Sequence, residues 1–204
     1  MLWRFRFFTL GLLLLVLFLP GCAKKVVRIP PIEAPSAENP MVKLFDAFSA
    51  VESFQANASI RVETVRKGQE MNFLLNGVVL YEKPDKLRIF GYHPLGMGLF
   101  DALYRNGEFF LLSPLQKKAY IGEISEFEDL IEKAGIRIST EKAEGSEIPN
   151  RIRIEAVEKQ IRVELRLKEI SVNSSLPEDS FEWTVPEGVE IESLAKLLKG
   201  KSLK

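Results

Sequence analysis

One cysteine, one histidine and two tryptophans are all that this 204-residue chain contains of those types. The lone cysteine, Cys22, rules out a disulfide within the chain and a thiolate metal cluster. The lone histidine, His93, rules out a multi-histidine metal site. A charge excess is missing as well: Lys+Arg 28 stand against Asp+Glu 28, so no basic surplus points to nucleic acid. Glycine-rich phosphate loops, GxSxG, HExxH and EF-hand spacings do not occur. Glu126, Glu128, Asp129 and Glu132 fit a solvated helix face better than an acid/base pair, and His93, beside Pro94, fits a turn. The expectation is a protein with no catalytic residues, no metal and no cofactor, and not an enzyme. Long apolar runs are also scarce. The longest, Phe7 to Leu19, has 13 residues, whereas a spanning helix needs about 20.

That run is preceded by Arg4 and Arg6 and followed by Leu19-Pro20-Gly21-Cys22, the order of parts in a secretory signal. Leu19, Gly21 and Cys22 resemble a bacterial lipobox. The resemblance implies cleavage of residues 1–21, a diacylglyceryl group on the Cys22 thiol and acylation of the freed amine. Two or more acyl chains, at about 0.8 kcal/mol per buried methylene, anchor a protein stably. The alternative is an uncleaved anchor with an incidental cysteine. Ala23 rather than aspartate follows the cysteine. By resemblance to the enterobacterial sorting rule, this favours the outer membrane, with the body facing the periplasm.

Residues 22–40 carry Pro30, Pro31, Pro35 and Pro40, which cannot pair in a central strand and favour polyproline II. The 18 residues after Cys22 reach some 56 Å at about 3.1 Å per residue, so they read as a leash. The body, 41–204, has the length of one domain and is expected to be a monomer.

Asn39-Pro40 starts a helix in which Met41, Leu44, Phe45, Phe48 and Val51 recur at helical spacing, ending near Ser53. Ala56, Ala58, Ile60, Val62 and Thr64 then alternate with polar residues. Lys67-Gly68-Gln69 turns the chain into a long strand, Met71 to Glu82, and Lys83-Pro84-Asp85-Lys86 turns it back. Leu87 to Tyr92 is the next strand, and Leu99 to Arg105 and Glu108 to Leu112 flank the hairpin signal Asn106-Gly107. A short strand at Tyr120 and Ile121 precedes a capping box, Ser125 to Glu128, and a helix with the stripe Phe127, Leu130, Ile131 and Ala134, closed by Gly135. Strands resume at Ile136, at Arg151 to Val157 and at Ile161 to Leu167, running on to Val172. Phe181, Trp183 and Val185 suggest a last strand, and Leu194, Leu197 and Leu198 a short helix. The lysines at 196, 199, 201 and 204 form a tail that reads as solubilising rather than as a headgroup patch.

The strand from Met71 is apolar on both sides. Met71, Phe73, Leu75, Val79 and Tyr81 face one way, and Leu74, Val78 and Leu80 the other. Such a strand must be covered twice. One helix pair covers one face; the other needs a second sheet, a barrel wall or a ligand. Pattern alone leaves a β-sandwich and a ligand-holding barrel equally open.

Tyr92-His93-Pro94-Leu95-Gly96-Met97-Gly98-Leu99 interrupts regular pairing. Leu95 and Met97 either fold back into the core at a bulge or form an exposed apolar finger for a membrane or an acyl chain. From Phe54 to about Leu103 the chain resembles the LolB/LolA-like lipoprotein-localisation superfamily. The residues that carry the resemblance are the lipobox, the N-terminal helix, the long hairpin and Asp85-Lys86-Leu87-Arg88-Ile89 leading into Pro94-Leu95-Gly96. Phe181 to Val189, with its Val-Pro-x-Gly turn, looks like the closing strand of the LolA side. The resemblance implies a mainly β fold with helices: a curved, incomplete antiparallel β-barrel of about ten strands capped by α-helices, with an apolar cavity for acyl chains. It implies an outer-membrane-anchored protein that accepts lipoproteins from a periplasmic LolA-like carrier and inserts them in the inner leaflet. Pro94, Leu95, Gly96 and Met97 would form the transfer loop, with Leu95 as the residue that passes cargo on. The alternatives are a structural or assembly lipoprotein of the envelope and a carrier of another hydrophobic ligand.

Overall fold

Alternating sequence becomes strand here almost without exception. The computed structural model describes residues 40–66, 68–123, 125–126 and 135–198, all within the unit Ser36–Lys204. The signal 1–21, Cys22, the leash and the expected helix after Ser125, apart from its first two residues, lie outside the described residues. Helix α1 (Pro40–Phe48) leads into β1 (Ser53–Arg66), β2 (Gln69–Glu82), β3 (Lys86–Tyr92), β4 (Gly98–Arg105), β5 (Glu108–Ser113) and β6 (Lys118–Glu123). Then come β7 (Ile136–Glu141), β8 (Arg151–Ala156), β9 (Ile161–Val172), β10 (Glu190–Ser193) and α2 (Leu194–Leu198). The strands form one ten-stranded sheet in the order β10-β6-β5-β4-β3-β2-β1-β9-β8-β7, which does not close. The result is a curved, incomplete barrel with a helical cap. Pairing is antiparallel throughout except at β10, which runs parallel to β6.

The concave face is the main core. Phe54, Ala56, Ala58 and Ile60 of β1 pair with Tyr81, Val79, Gly77 and Leu75 of β2, so one period-2 set from each strand points inward. α1 seats Met41, Leu44 and Phe48 on this face. It ends at Phe48 rather than Ser53 because Ser49 turns back, its Oγ donating to the Asp46 carbonyl at 2.6 Å. Val51 remains buried from the turn that follows. The rings of Phe48, Phe54 and Tyr81 meet with centroids 4.9 to 5.4 Å apart, and Phe45 lies 5.2 Å from Tyr104. These rings fill the centre of the half-barrel.

Tight curvature is carried by a cross-strand glycine pair, Gly77 opposite Gly91. A Cβ on Gly77 would sit 2.7 Å from Ile60 Cδ1 and 2.8 Å from the Phe90 carbonyl, and one on Gly91 would overlap the Phe100 ring. Phe100 thus lies over a residue with no side chain of its own, an arrangement that pins register.

The convex face divides in two. Across β1, β9 and β8 it is a ladder of ion pairs: Arg162 with Glu155 (2.8 Å) and Glu63 (3.4 Å), and Glu164 between Arg166 (2.7 Å) and Arg153 (3.3 Å). Burial pushes the Glu164 carboxyl up, but hydrogen bonds from Arg166 and Arg153 outweigh it and hold it below its ordinary range. Across β2 to β6 the convex face is apolar: Leu80, Leu103, Phe110 and Ile121. What covers it corrects an expectation. Phe181 to Val185 is not a strand; it is irregular chain laid over the sheet, with Leu176, Phe181 and Trp183 packed on the second cluster. Trp183 sits 4.9 Å from Phe110, ring to ring. The strand near this end is β10 instead, beginning at Glu190.

Two arginines hold this strap. Arg88 grips Asp101 with both prongs, Nε to Oδ1 at 3.0 Å and Nη2 to Oδ2 at 2.7 Å, and its Nη1 donates to the carbonyls of Ser180 (2.8 Å) and Glu182 (3.2 Å). Arg105 Nη1 donates to the Phe181 carbonyl at 2.5 Å. The hydrogen bond to Asp101 raises the Arg88 guanidinium further above its ordinary value.

Two outcomes test this account. Gly91→Val should destabilise the domain by about 1–3 kcal/mol in urea unfolding, because the Phe100 ring cannot keep its place. Gly91→Val and Phe100→Ala made together should cost less than the sum of their separate costs, because the second change removes the ring that the first one displaces. Arg88→Met should cost about 3–5 kcal/mol, since it leaves a buried carboxylate alone, whereas the double change with Asp101→Leu should cost much less.

Candidate functional site

The four loop residues singled out in the sequence stand together at one end of the sheet. His93-Pro94-Leu95-Gly96 is a four-residue turn in which the Gly96 N–H donates to the His93 carbonyl at 2.7 Å. Proline second and glycine fourth is the type I pattern, and Leu95, third, is not among the residues with positive φ, which excludes type II. Gly96 has φ +88°, a conformation that glycine adopts at no steric cost. The His93 N–H donates to the Met97 carbonyl at 2.8 Å, and the Leu95 N–H donates to His93 Nδ1 at 3.2 Å. His93 therefore organises the turn with its N–H, its carbonyl and its ring. Three N–H groups of the turn, those of His93, Leu95 and Gly96, thus find acceptors within it.

The side chains at that tip face solvent. Leu95 is 89% exposed and Met97 50%. The bulge alternative, with Leu95 folded into the core, is excluded by that exposure. Phe90, on the adjoining convex face, is half-exposed and lies 6.0 Å from Tyr92, ring to ring. Phe90 also walls a cleft of about 310 Å³ under the strap, lined by Val78, Leu80, Arg88, Asp101, Pro177, Asp179 and Ser180. The Arg88–Asp101 pair in its floor is already committed to holding the strap.

Sequence reasoning passed over two features here. Arg88 and Asp101 were each legible as a lone charge within an apolar strand, Leu87-Arg88-Ile89 and Phe100-Asp101-Ala102, on strands that pair. Phe73 and Leu74, near the far end of β2, were read as covered but are 44% and 58% exposed. Beyond the aromatic floor the concave face continues as a trough of half-buried Val62, Leu75, Ile138, Ile154 and Val163. Cys22 lies outside the described residues, and no helix among those described is long and apolar enough to cross a membrane.

No family model and no curated protein sequence matches the chain. Solved structures similar in fold include an uncharacterised conserved protein from Thermus thermophilus, with 12% identity and TM-score 0.40, covering 72% of this chain and 97% of that one. A candidate outer membrane lipoprotein-sorting domain from Vibrio parahaemolyticus gives 12% identity and TM-score 0.35, covering 72% and 97%. A LolA superfamily protein from Nitrosomonas europaea gives 11% identity and TM-score 0.28, covering 71% and 98%. At such scores these likenesses carry no functional weight by themselves, and the functional reading rests on the chain's own residues.

An exposed finger reverses the ordinary logic of leucine substitution. Leu→Ala in a core costs about 2–5 kcal/mol, but Leu95→Glu should leave the melting temperature within a degree or two, because nothing packed is lost. A fall of many degrees in a thermal melt would place Leu95 in the core after all.

Proposed function

We propose that this protein is a lipid-anchored envelope protein that holds the acyl chains of lipoprotein cargo on its half-open concave face and passes them into a bilayer at the Pro94–Met97 loop. The observation that carries this reading is Leu95, 89% exposed on a turn whose backbone is hydrogen-bonded shut. A backbone held this way has little left to order when its apolar side chain enters a membrane. The trough of half-buried aliphatic side chains supplies the acyl surface. The lone Cys22 after an apolar run supports lipid anchoring, with Ala23 favouring the outer membrane. A periplasmic LolA-like carrier is the proposed donor, and the inner leaflet of the outer membrane the proposed acceptor.

Magnitudes fit a transfer role. Burying Leu95 and Met97 contributes roughly 1.5–3 kcal/mol each, enough to probe a bilayer and too little to stay in it. An acyl chain contributes about 0.8 kcal/mol per methylene, so the cargo's own chains dominate where it ends up. The protein needs only to bind them less tightly than the bilayer does, a gradient of affinity with no covalent step.

Two measurements test the reading. In the full-length chain, Leu95→Glu should slow delivery of a diacylated peptide to phospholipid vesicles by about tenfold or more, the loss of one buried leucine, while cargo binding is kept. Unchanged delivery would remove the loop from the mechanism. Cys22→Ala should give a chain without diacylglyceryl by mass spectrometry; lipid found on that variant would refute the anchor.

A further inference from the structure

β2 is longer than its neighbour. Its last pairing with β3 is Asn76 opposite Tyr92, yet the strand begins at Gln69. Gln69 to Leu75 pair with β1 on one side and with nothing described on the other. At about 3.3 Å per residue this leaves roughly 23 Å of open strand edge. Among the described residues the strand position beside it, in line with β3, is vacant, because the His93–Gly96 turn has sent the chain back into β4.

Open edges invite pairing, and folds usually blunt them with lysine, proline, short length or a covering element. The two terminal strands of this sheet follow that rule: β10 has four residues with Glu190 and Glu192, and β7 is packed by α1. The free stretch Gln69-Glu70-Met71-Asn72-Phe73-Leu74-Leu75 has neither lysine nor proline, and one charge. Exposed side chains flank it on both faces, Phe73 on the concave and Leu74 on the convex. Its free groups are the backbone N–H and C=O of Glu70, Asn72 and Leu74, because the odd-numbered residues of β2 face β1, as the Lys83 N–H does; this is a chemistry that recognises another extended backbone.

From this geometry we infer that the vacant position takes an extended peptide, added antiparallel to β2: the segment that follows the acylated N-terminal cysteine of cargo lipoprotein. The inference deepens the function proposed above and rests on it for the identity of the cargo. Direction follows from antiparallel pairing, the mode of both strands that already pair with β2. A strand in line with β3 and antiparallel to β2 runs from beside Leu75 toward Gln69, so its N-terminus lies against the turn that carries Leu95 and Met97. Antiparallel addition therefore puts the acylated end of the peptide at the finger and leads the rest of the cargo away from it. The backbone contacts do not depend on the peptide's sequence; Phe73 and Leu74 favour small or apolar residues at two adjacent positions, one on each face.

The test uses the full-length chain and three synthetic probes: a diacylglyceryl-cysteine peptide with eight further residues, the same lipopeptide N-methylated at alternate amides, and the unacylated peptide. The lipopeptide should protect the outward-facing backbone amides of Glu70, Asn72 and Leu74 from hydrogen exchange. N-methylation in the register that faces β2 should weaken binding by about tenfold or more through lost backbone donors. Leu74→Lys should weaken the lipopeptide without changing the melting temperature. Tight lipopeptide binding with no protection at Glu70, Asn72 and Leu74 and no effect of N-methylation in either register overturns the strand inference and leaves the lipid reading standing. Protection by the unacylated peptide equal to that by the lipopeptide supports the strand inference and counts against the lipid reading. Protection that rises with protein concentration and no probe at all would assign the edge to a second copy of the chain and overturn the inference.

Discussion

A strand that is apolar on both faces obliges a fold to bury it twice, and β2 sets that obligation from Val78 to Tyr81. Val79 and Tyr81 are met on the concave side by α1 and the aromatic cluster around Phe48 and Phe54. On the convex side, the cluster that includes Leu80 is met by the irregular chain carrying Leu176, Phe181 and Trp183. A segment without ladder hydrogen bonds needs other partners for its carbonyls. Arg88 and Arg105 supply them at Ser180, Phe181 and Glu182, and Asp101 supplies the charge that lets Arg88 lie against an apolar face. The ion pair is thus a fastener for the second cover.

The same strand changes character along its length. Its C-terminal half is sealed between two covers. Its N-terminal half runs on past β3 with Phe73 and Leu74 in the open. The turn that ends β3 sits at this change, and its tip projects where the sheet has lost a strand. Trough, open edge and finger therefore share the β2 end of the molecule. Rigidity is concentrated in the turn, where His93 engages three backbone groups, so the exposed leucine is presented by a structure rather than by a loose loop.

Much of the architecture was legible residue by residue. Alternation marked β1, because a half-buried strand must place apolar side chains at every second position, and apolar runs between turn signals marked the strands that follow as far as β9. Asn106-Gly107 and Lys83-Pro84-Asp85-Lys86 announced their turns, and Asn106 and Gly107 both take positive φ. Pro94-Leu95-Gly96-Met97 announced a break in pairing. Phe181-x-Trp183-x-Val185 misled because alternation records that two sides of a segment differ; it says nothing of whether another backbone lies within hydrogen-bonding reach. The short parallel β10 was invisible for the converse reason: Glu190-Ile191-Glu192-Ser193 is too short to show a period, and its pairing depends on where β6 happens to lie.

What the amino-acid order determined by itself is local: which stretches extend, where glycine and proline turn them, that Cys22 ends an apolar run, and that one strand needs two covers. Each of these follows from side-chain size, polarity and backbone torsion over a few neighbouring residues. What only the tertiary structure decided is relative: that irregular chain rather than a second sheet covers the convex face, that Leu95 points to solvent, and that β2 outlasts β3. Exposure and vacancy are differences between segments brought together by folding. No window of sequence contains both sides of such a difference, so the finger's free tip and the unfilled strand position beside it appear only once ten strands are laid in order.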